Sequence, residues 1–348
     1  MKIFLFKIVL VVCPVMLLVI FTNYRVDPAN IFSSKKYVAG IADILSKGHN
    51  VDNITNYDQR LLQEQMALRL HRPPDVLVIG SSRVMEIGAD FFPGKQVLNC
   101  GVSHANINDL IALVGLFDSL HLLPRHLVIN LDPDLVGMGG SLEWQSLEGY
   151  HAYFLKKARA GSPDAAVAGG SHSTDKILSL FSFEYFKESL AFLTKGIDKR
   201  YYDVVHRQPV ANGRFFDGTI CYSASFSNPD TLQVANNARV TGSKSGIPPP
   251  DTAKIRLLNS MLDFLESRQV EMEFLMLPFH YEYYRAVNAH QHNLFFSYDS
   301  LFHQIASQRH IPLSGGFDEN TYGIRESQFY DMFHCSKPAI QKVFPVRP

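Results

Sequence analysis

The chain has 348 residues, with 33 basic and 33 acidic side chains and a formal net charge of zero. Its length suits one large α/β domain with insertions, or two domains, and the balanced charge argues against a general nucleic-acid binder. Hydrophobic residues make up 46% and aromatics 12%, enough for a sizeable core and too many for global disorder. The four cysteines form no Cys-x-x-Cys pair and no disulfide framework.

Residues 3–21 (IFLFKIVLVVCPVMLLVIF) are apolar apart from Lys7. As a helix this run reaches about 30 Å, the thickness of a bilayer core. Lys2 and Lys7 precede its uninterrupted part and favour a cytoplasmic N-terminus; Arg25, Lys35 and Lys36 follow it. Phe21, Thr22, Asn23 and Tyr24 offer no small-residue cleavage site, and Leu10-Val11-Val12-Cys13 matches a lipoprotein box only loosely. We therefore expect an uncleaved signal anchor over 1–23, with the rest of the chain on the outer side of a bacterial inner membrane. No later run reaches 18 apolar residues.

Residues 24–74 form a membrane-proximal connector. Helical spacing runs from Tyr57 to Leu70 and stops at Pro73-Pro74. Asp75 to Ile79 (DVLVI) reads as a buried parallel strand, and Gln96 to Asn99 as a second. Residues 105–120 predict a helix with Ile107, Leu110, Ile111, Val114 and Phe117 on one face. His126 to Asn130 is a third strand. This rhythm predicts crossovers and a parallel sheet. Residues 141–250 interrupt it: a helix is expected over 176–193, hairpin turns at Asn212-Gly213 and Asp217-Gly218, and a linker over 241–250. The rhythm resumes with Asp251 as an N-cap, a helix striped by Ile255, Leu258, Leu262 and Leu265, a fourth strand over 273–277 and a short fifth near 310–313. The organisation is thus an anchor (1–23), a connector (24–74), an α/β domain in two pieces (75–140 and 251–348) and an insertion or cap (141–250).

Ligands of open parallel sheets bind beyond the carboxyl ends of the strands. Gly80-Ser81-Ser82-Arg83 follows strand one, Cys100-Gly101-Val102-Ser103 strand two, Asp132-Pro133-Asp134 strand three and Pro278-Phe279-His280 strand four. Asp331-Met332-Phe333-His334 stands before a final helix. One serine, one histidine and one acid can thus meet at one edge. A serine hydroxyl needs a base, and a histidine base needs an acid that fixes its tautomer.

These blocks resemble the SGNH, or GDSL-like, hydrolase superfamily. Its Gly-Asp-Ser block corresponds to Gly80-Ser81-Ser82, and its Asp-x-x-His block to Asp331-Met332-Phe333-His334. The Gly-Ser-Ser form resembles membrane-anchored D-alanyl transfer proteins of teichoic acid. The anchor plus outer domain resembles periplasmic alginate O-acetyltransferases. The resemblance covers 75–134 and 251–340. It implies a three-layer αβα, flavodoxin-like sheet and a triad of Ser82, His334 and Asp331. It also implies an oxyanion hole built from the N–H groups of Ser82 and Gly101. The third family block, Gly-x-Asn-Asp, is replaced by Asn130-Leu131-Asp132-Pro133. Asp132 then stands nearest the Asn position, where a carboxylate cannot donate, and Asn130 is the alternative donor.

Each residue also has a duller reading. Ser82 can cap the next helix, Asp331 and His334 can cap the last one, and Gly101 can serve a tight turn. Arg83 can bind a carboxylate or sugar hydroxyl, or make a surface salt bridge. His280 and His104 can line the cleft or be structural. Phe279, Tyr281, Tyr283 and Tyr284 can form a sugar-stacking wall or simply pack. Cys100 and Cys335 flank two site segments.

The expected function is an O-acyl esterase or O-acyltransferase on an envelope or exopolysaccharide glycan. It needs no cofactor or metal, is attached to the membrane through its N-terminal helix, and has an integral membrane acyl donor as a partner for the transferase case. The competing reading is a non-catalytic scaffold or glycan-binding part of an envelope complex. No paired histidines on a helix suggest a metal hydrolase, and no phosphate-binding glycine motif follows strand one.

Overall fold

The structure is a computed structural model that describes residues 2–28, 32–138, 140–159, 180–196, 200–205 and 207–347. The side chains of residues 2–9, 11 and 159 also lie outside the description. In chain order the described helices of seven or more residues are α1 (Lys2–Val26), α2 (Ser34–Leu45), α3 (Gln59–Ala67), α4 (Ile107–Ser119), α5 (Glu148–Arg159), α6 (Phe183–Lys195), α7 (Thr231–Gly242), α8 (Thr252–Ser267), α9 (Tyr281–His290), α10 (Leu294–Arg309) and α11 (Lys337–Val343). The strands are β1 (Asn50–Asp52), β2 (Val76–Ile79), β3 (Val97–Asn99), β4 (His126–Asn130), β5 (Tyr202–Val204), β6 (Gly213–Arg214), β7 (Ile220–Cys221), β8 (Glu271–Met276) and β9 (Leu313–Gly315).

β2 is Val-Leu-Val-Ile, and all four side chains are buried. A strand buried on both faces belongs in the middle of a helix-covered parallel sheet, and β2 lies there. The main sheet has the order β3-β2-β4-β8-β9, with every neighbour parallel. The chain steps from β2 outward to β3, then returns past β2 to β4. This reversal opens a crevice above β2 and β4, where ligands of such sheets bind. One core cluster joins α4, α8 and α10 to alternate residues of these strands. A second joins the other strand faces to Phe91, Phe92, Ile340 and Phe344.

The expected strands at 75–79, 96–99 and 126–130 are present within one residue of their predicted bounds. β8 starts two residues before the predicted 273. The strand expected at 310–313 is instead Leu313–Gly315, because His310 takes a left-handed conformation at φ +54° and ends α10. Asp251 caps α8 by accepting from the Ala253 N–H. The helix expected over 176–193 falls partly outside the described residues; its described part is α6, capped by Ser182.

The insertion does not stand alone. A second, antiparallel sheet runs β5-β1-β6-β7, so a connector strand sits between two insertion strands. α5 packs along α4, where the Gly115 backbone comes so close to Tyr150 that a Cβ would sit 2.2 Å from its carbonyl oxygen.

The expected anchor at 1–23 lies on α1, whose first turns have side chains outside the description. Among the described residues no helix is long and apolar enough to cross a membrane.

Candidate active site

β2 ends at Gly80, which has φ +153°. A Cβ there would lie 2.3 Å from that of Asn130 on the neighbouring strand. Only glycine allows the chain to turn this tightly over the sheet edge. Ser81 then caps a short 3₁₀ turn, Ser82–Val84, by accepting from the Arg83 N–H. Ser82 is the first residue of that turn and is not its cap.

His334 lies 252 residues from Ser82, yet the loop that carries it and Asp331 meets Ser82 directly. His334 Nε2 is 2.8 Å from Ser82 Oγ. His334 Nδ1 is 2.8 Å from Asp331 Oδ2 and 3.0 Å from Oδ1. An ionised carboxylate only accepts, so Nδ1 carries the proton and Nε2 is left to accept from the serine hydroxyl. Asp331 Oδ1 also accepts the N–H groups of Phe333 and His334, both at 2.7 Å. Burial works against the charge of Asp331, but the His334 ring and these two N–H groups outweigh it and hold the carboxyl below its usual range. The loop is closed behind by the Tyr330 N–H on the His334 carbonyl.

Comparison with protein-family models and with curated proteins returned no match.

Arg83 is buried, and each of its nitrogens is occupied. It donates to Asp132, to the carbonyls of Leu277 and Pro278, and through Nε to the Phe333 carbonyl at 3.0 Å. Its guanidinium lies 3.8 Å above the Phe279 ring. Arg83 therefore ties the ends of β4 and β8 to the loop that carries His334. Asp132 accepts from Arg83 and from the Ser81 hydroxyl. Ser81 thus pins the Ser82–Val84 turn to the β4 end.

The two expected oxyanion donors outside the nucleophile are committed elsewhere. The Gly101 N–H donates to Asn99 Oδ1 at 2.8 Å. Asn130 Nδ2 donates to the Leu275 carbonyl, and Asn130 Oδ1 accepts from the Ser81 N–H and hydroxyl. The Ser82 N–H takes no partner among the described residues. His280 caps α9, its Nδ1 accepting from the Glu282 N–H, and it is fully buried. Burial lowers its pKa, although Glu326 and Glu282 pull the other way.

Ser82 and His334 line a cleft of about 280 Å³. Arg83, Asp132, Ser103, His104, Phe279 and Tyr283 also line it, whereas Gly101, Asn130, His280, Tyr281 and Tyr284 do not. The apolar wall includes Met85, Ile247, Phe333 and two residues of the second sheet's end, Ile220 and Tyr222. Cys100 and Cys335 are buried free thiols; burial pushes the thiol of Cys335 up to about 12.

Sequence reasoning missed Asn99 and Tyr222. Asn99 Nδ2 donates to the carbonyls of Val84 and Ile87 and so holds the far end of the Ser82–Val84 turn. Its signal was a lone polar residue ending a buried strand. Tyr222 donates to the Ser82 carbonyl at 3.4 Å, and its ring lies 6.1 Å from that of His334. Only the hairpin signal at Asp217-Gly218 hinted that a strand would end there.

Proposed function

We propose that this chain is a membrane-anchored, extracytoplasmic serine esterase or O-acyltransferase with an SGNH-like, flavodoxin-like domain, acting on an envelope or exopolysaccharide glycan. The observation that supports it is the relay from Asp331 through His334 to Ser82 at the floor of a largely apolar cleft. In this reading Ser82 Oγ attacks the carbonyl carbon of an ester while its proton passes to His334 Nε2. The ester C–O bond breaks, His334 returns the proton to the leaving oxygen, and the acyl group remains on Ser82. Water or a sugar hydroxyl then attacks the acyl carbon, giving its proton to His334; the bond to Ser82 Oγ breaks, and His334 returns the proton to that oxygen. The negative oxygen is received by the Ser82 N–H. The apolar residues receive the acyl group, and an integral membrane partner supplies it in the transferase case. The N-terminal helix holds the domain at the inner membrane.

Treating the full chain with a fluorophosphonate and reading its intact mass tests this. One adduct is expected, absent in Ser82→Ala and His334→Ala. The non-catalytic scaffold is the second reading, favoured by the commitment of the Gly101 N–H and Asn130 Nδ2 to other partners. No adduct on a folded chain would select it.

A further inference from the structure

α6 is bound to α1 by side chains that have no reason to be apolar. Asn23 is fully buried, and its amide donates to the carbonyls of Leu180 and Ser182, both at 3.0 Å. Its Oδ1 accepts from the Ser189 hydroxyl at 3.2 Å. One turn on, Tyr185 donates to Asp27 at 2.7 Å. Val19 and Asn23, four residues apart, therefore form the face of α1 that meets α6.

Among the described side chains of α1, the apolar ones away from that face are mostly uncovered. Val15, Leu17, Leu18 and Phe21 are all exposed. At 100° per residue they point around the remaining circumference. A protein partner covers one face of a helix, whereas lipid covers every face, so an all-round apolar surface fits a bilayer. α6 continues that surface: Phe183, Leu190 and Leu193 are exposed on the flank next to α1. Its opposite face carries Glu184, Glu188 and Lys195. Lys187, between that face and Phe183, pairs with Glu184 at 3.1 Å in the open. One apolar flank and one charged face on a single helix match a segment lying in a membrane interface.

We infer that α6 lies in the lipid interface beside α1, with Phe183, Leu190 and Leu193 among the acyl chains and its charged face in water. The domain is then held by two helices, and the height of the cleft above the bilayer is fixed. This rests on the membrane-anchor part of the proposed function, and the test separates the two. Trp144 is the single tryptophan, so full-length chain with Trp144→Phe can carry one reporter. Phe21→Trp, Leu193→Trp, Leu190→Trp and Glu188→Trp are each reconstituted into phosphatidylcholine vesicles with and without brominated lipid. Loss of emission is expected for the reporters at 21, 190 and 193, and unchanged emission at 188. Quenching at 21 with none at 190 and 193 overturns the inference and leaves the anchor. Quenching at no position overturns both. Quenching at 188 as strong as at 193 places α6 inside the bilayer and overturns its interfacial position.

Discussion

Arg83 carries more of the site's geometry than its neighbours do. Four of its hydrogen bonds end on Asp132 and on three carbonyls from two separate loops. Lysine keeps the charge opposite Asp132, but it has no planar fork to reach the Leu277, Pro278 and Phe333 carbonyls together. Arg83→Lys is therefore expected to slow fluorophosphonate labelling about 10- to 100-fold by misplacing His334, with most of the fold retained. Arg83→Ala leaves Asp132 charged and buried, so it should cost about 3–5 kcal/mol in a denaturant titration. Equal labelling rates for wild type and Arg83→Lys would show that the Phe333 carbonyl contact does not position the histidine loop.

At the scale of elements, β9 closes the main sheet at a glycine. Gly315 has φ +91°, and a Cβ there would sit 1.8 Å from the Met276 carbonyl oxygen and 2.7 Å from Val343. Backbone cannot yield as a side-chain tip can. Gly315→Ala should therefore break the Met276–Gly315 pairing and cost about 3 kcal/mol or more. Gly323 has a similar φ of +60° but open space around it, so Gly323→Ala should cost only about 1–2 kcal/mol. Urea midpoints of the two variants decide this; equal losses would mean that conformation alone matters at both positions. The elements that sequence reasoning captured are those set by local pattern. The buried runs of β2 and β4, the stripe of α8 and the Asp331-to-His334 turn can each be read within a few residues. What it did not capture depends on partners far along the chain. Nothing around Gly101 shows that Asn99 takes its N–H, and nothing near Asn50–Asp52 shows that insertion strands flank it on both sides. Arg83 read as a ligand or surface group because the carbonyls that occupy it come from residues about 200 positions away.

At the scale of the whole molecule, two buried groups pull stability in opposite directions across the same pH range. His151 packs on Trp144 with ring centroids 4.4 Å apart, and burial lowers its pKa from 6.5 to about 4. The unfolded chain binds that proton first, so this group lowers stability as pH falls from about 6.5 to about 4. Glu86 lies behind the nucleophile turn against Tyr330. Burial is the largest influence on it; Lys337 and Tyr330 oppose that effect, Asp90 adds to it, and its pKa rises from 4.5 to about 7. The unfolded chain releases that proton first, so this group lowers stability as pH rises from about 4.5 to about 7, by at most about 3 kcal/mol. Glu86→Gln should therefore gain on wild type as pH rises through that window, and His151→Gln should gain on it as pH falls. Thermal melts at pH 5 and pH 7.5 measure both differences. An unchanged difference between the two pH values for either variant would remove that residue from the balance.

The contact between Ser82 and His334 spans 252 positions, and that distance is also an interval of time. A ribosome adds about 5–20 residues per second, so Ser82 waits some tens of seconds for His334 to be made. A chain that stops before His334 lacks this contact. Asn23 waits for Ser189 in the same way, 166 positions later. On the proposed reading, a chain not yet extended to His334 can reach the membrane with a serine that has no means of attack.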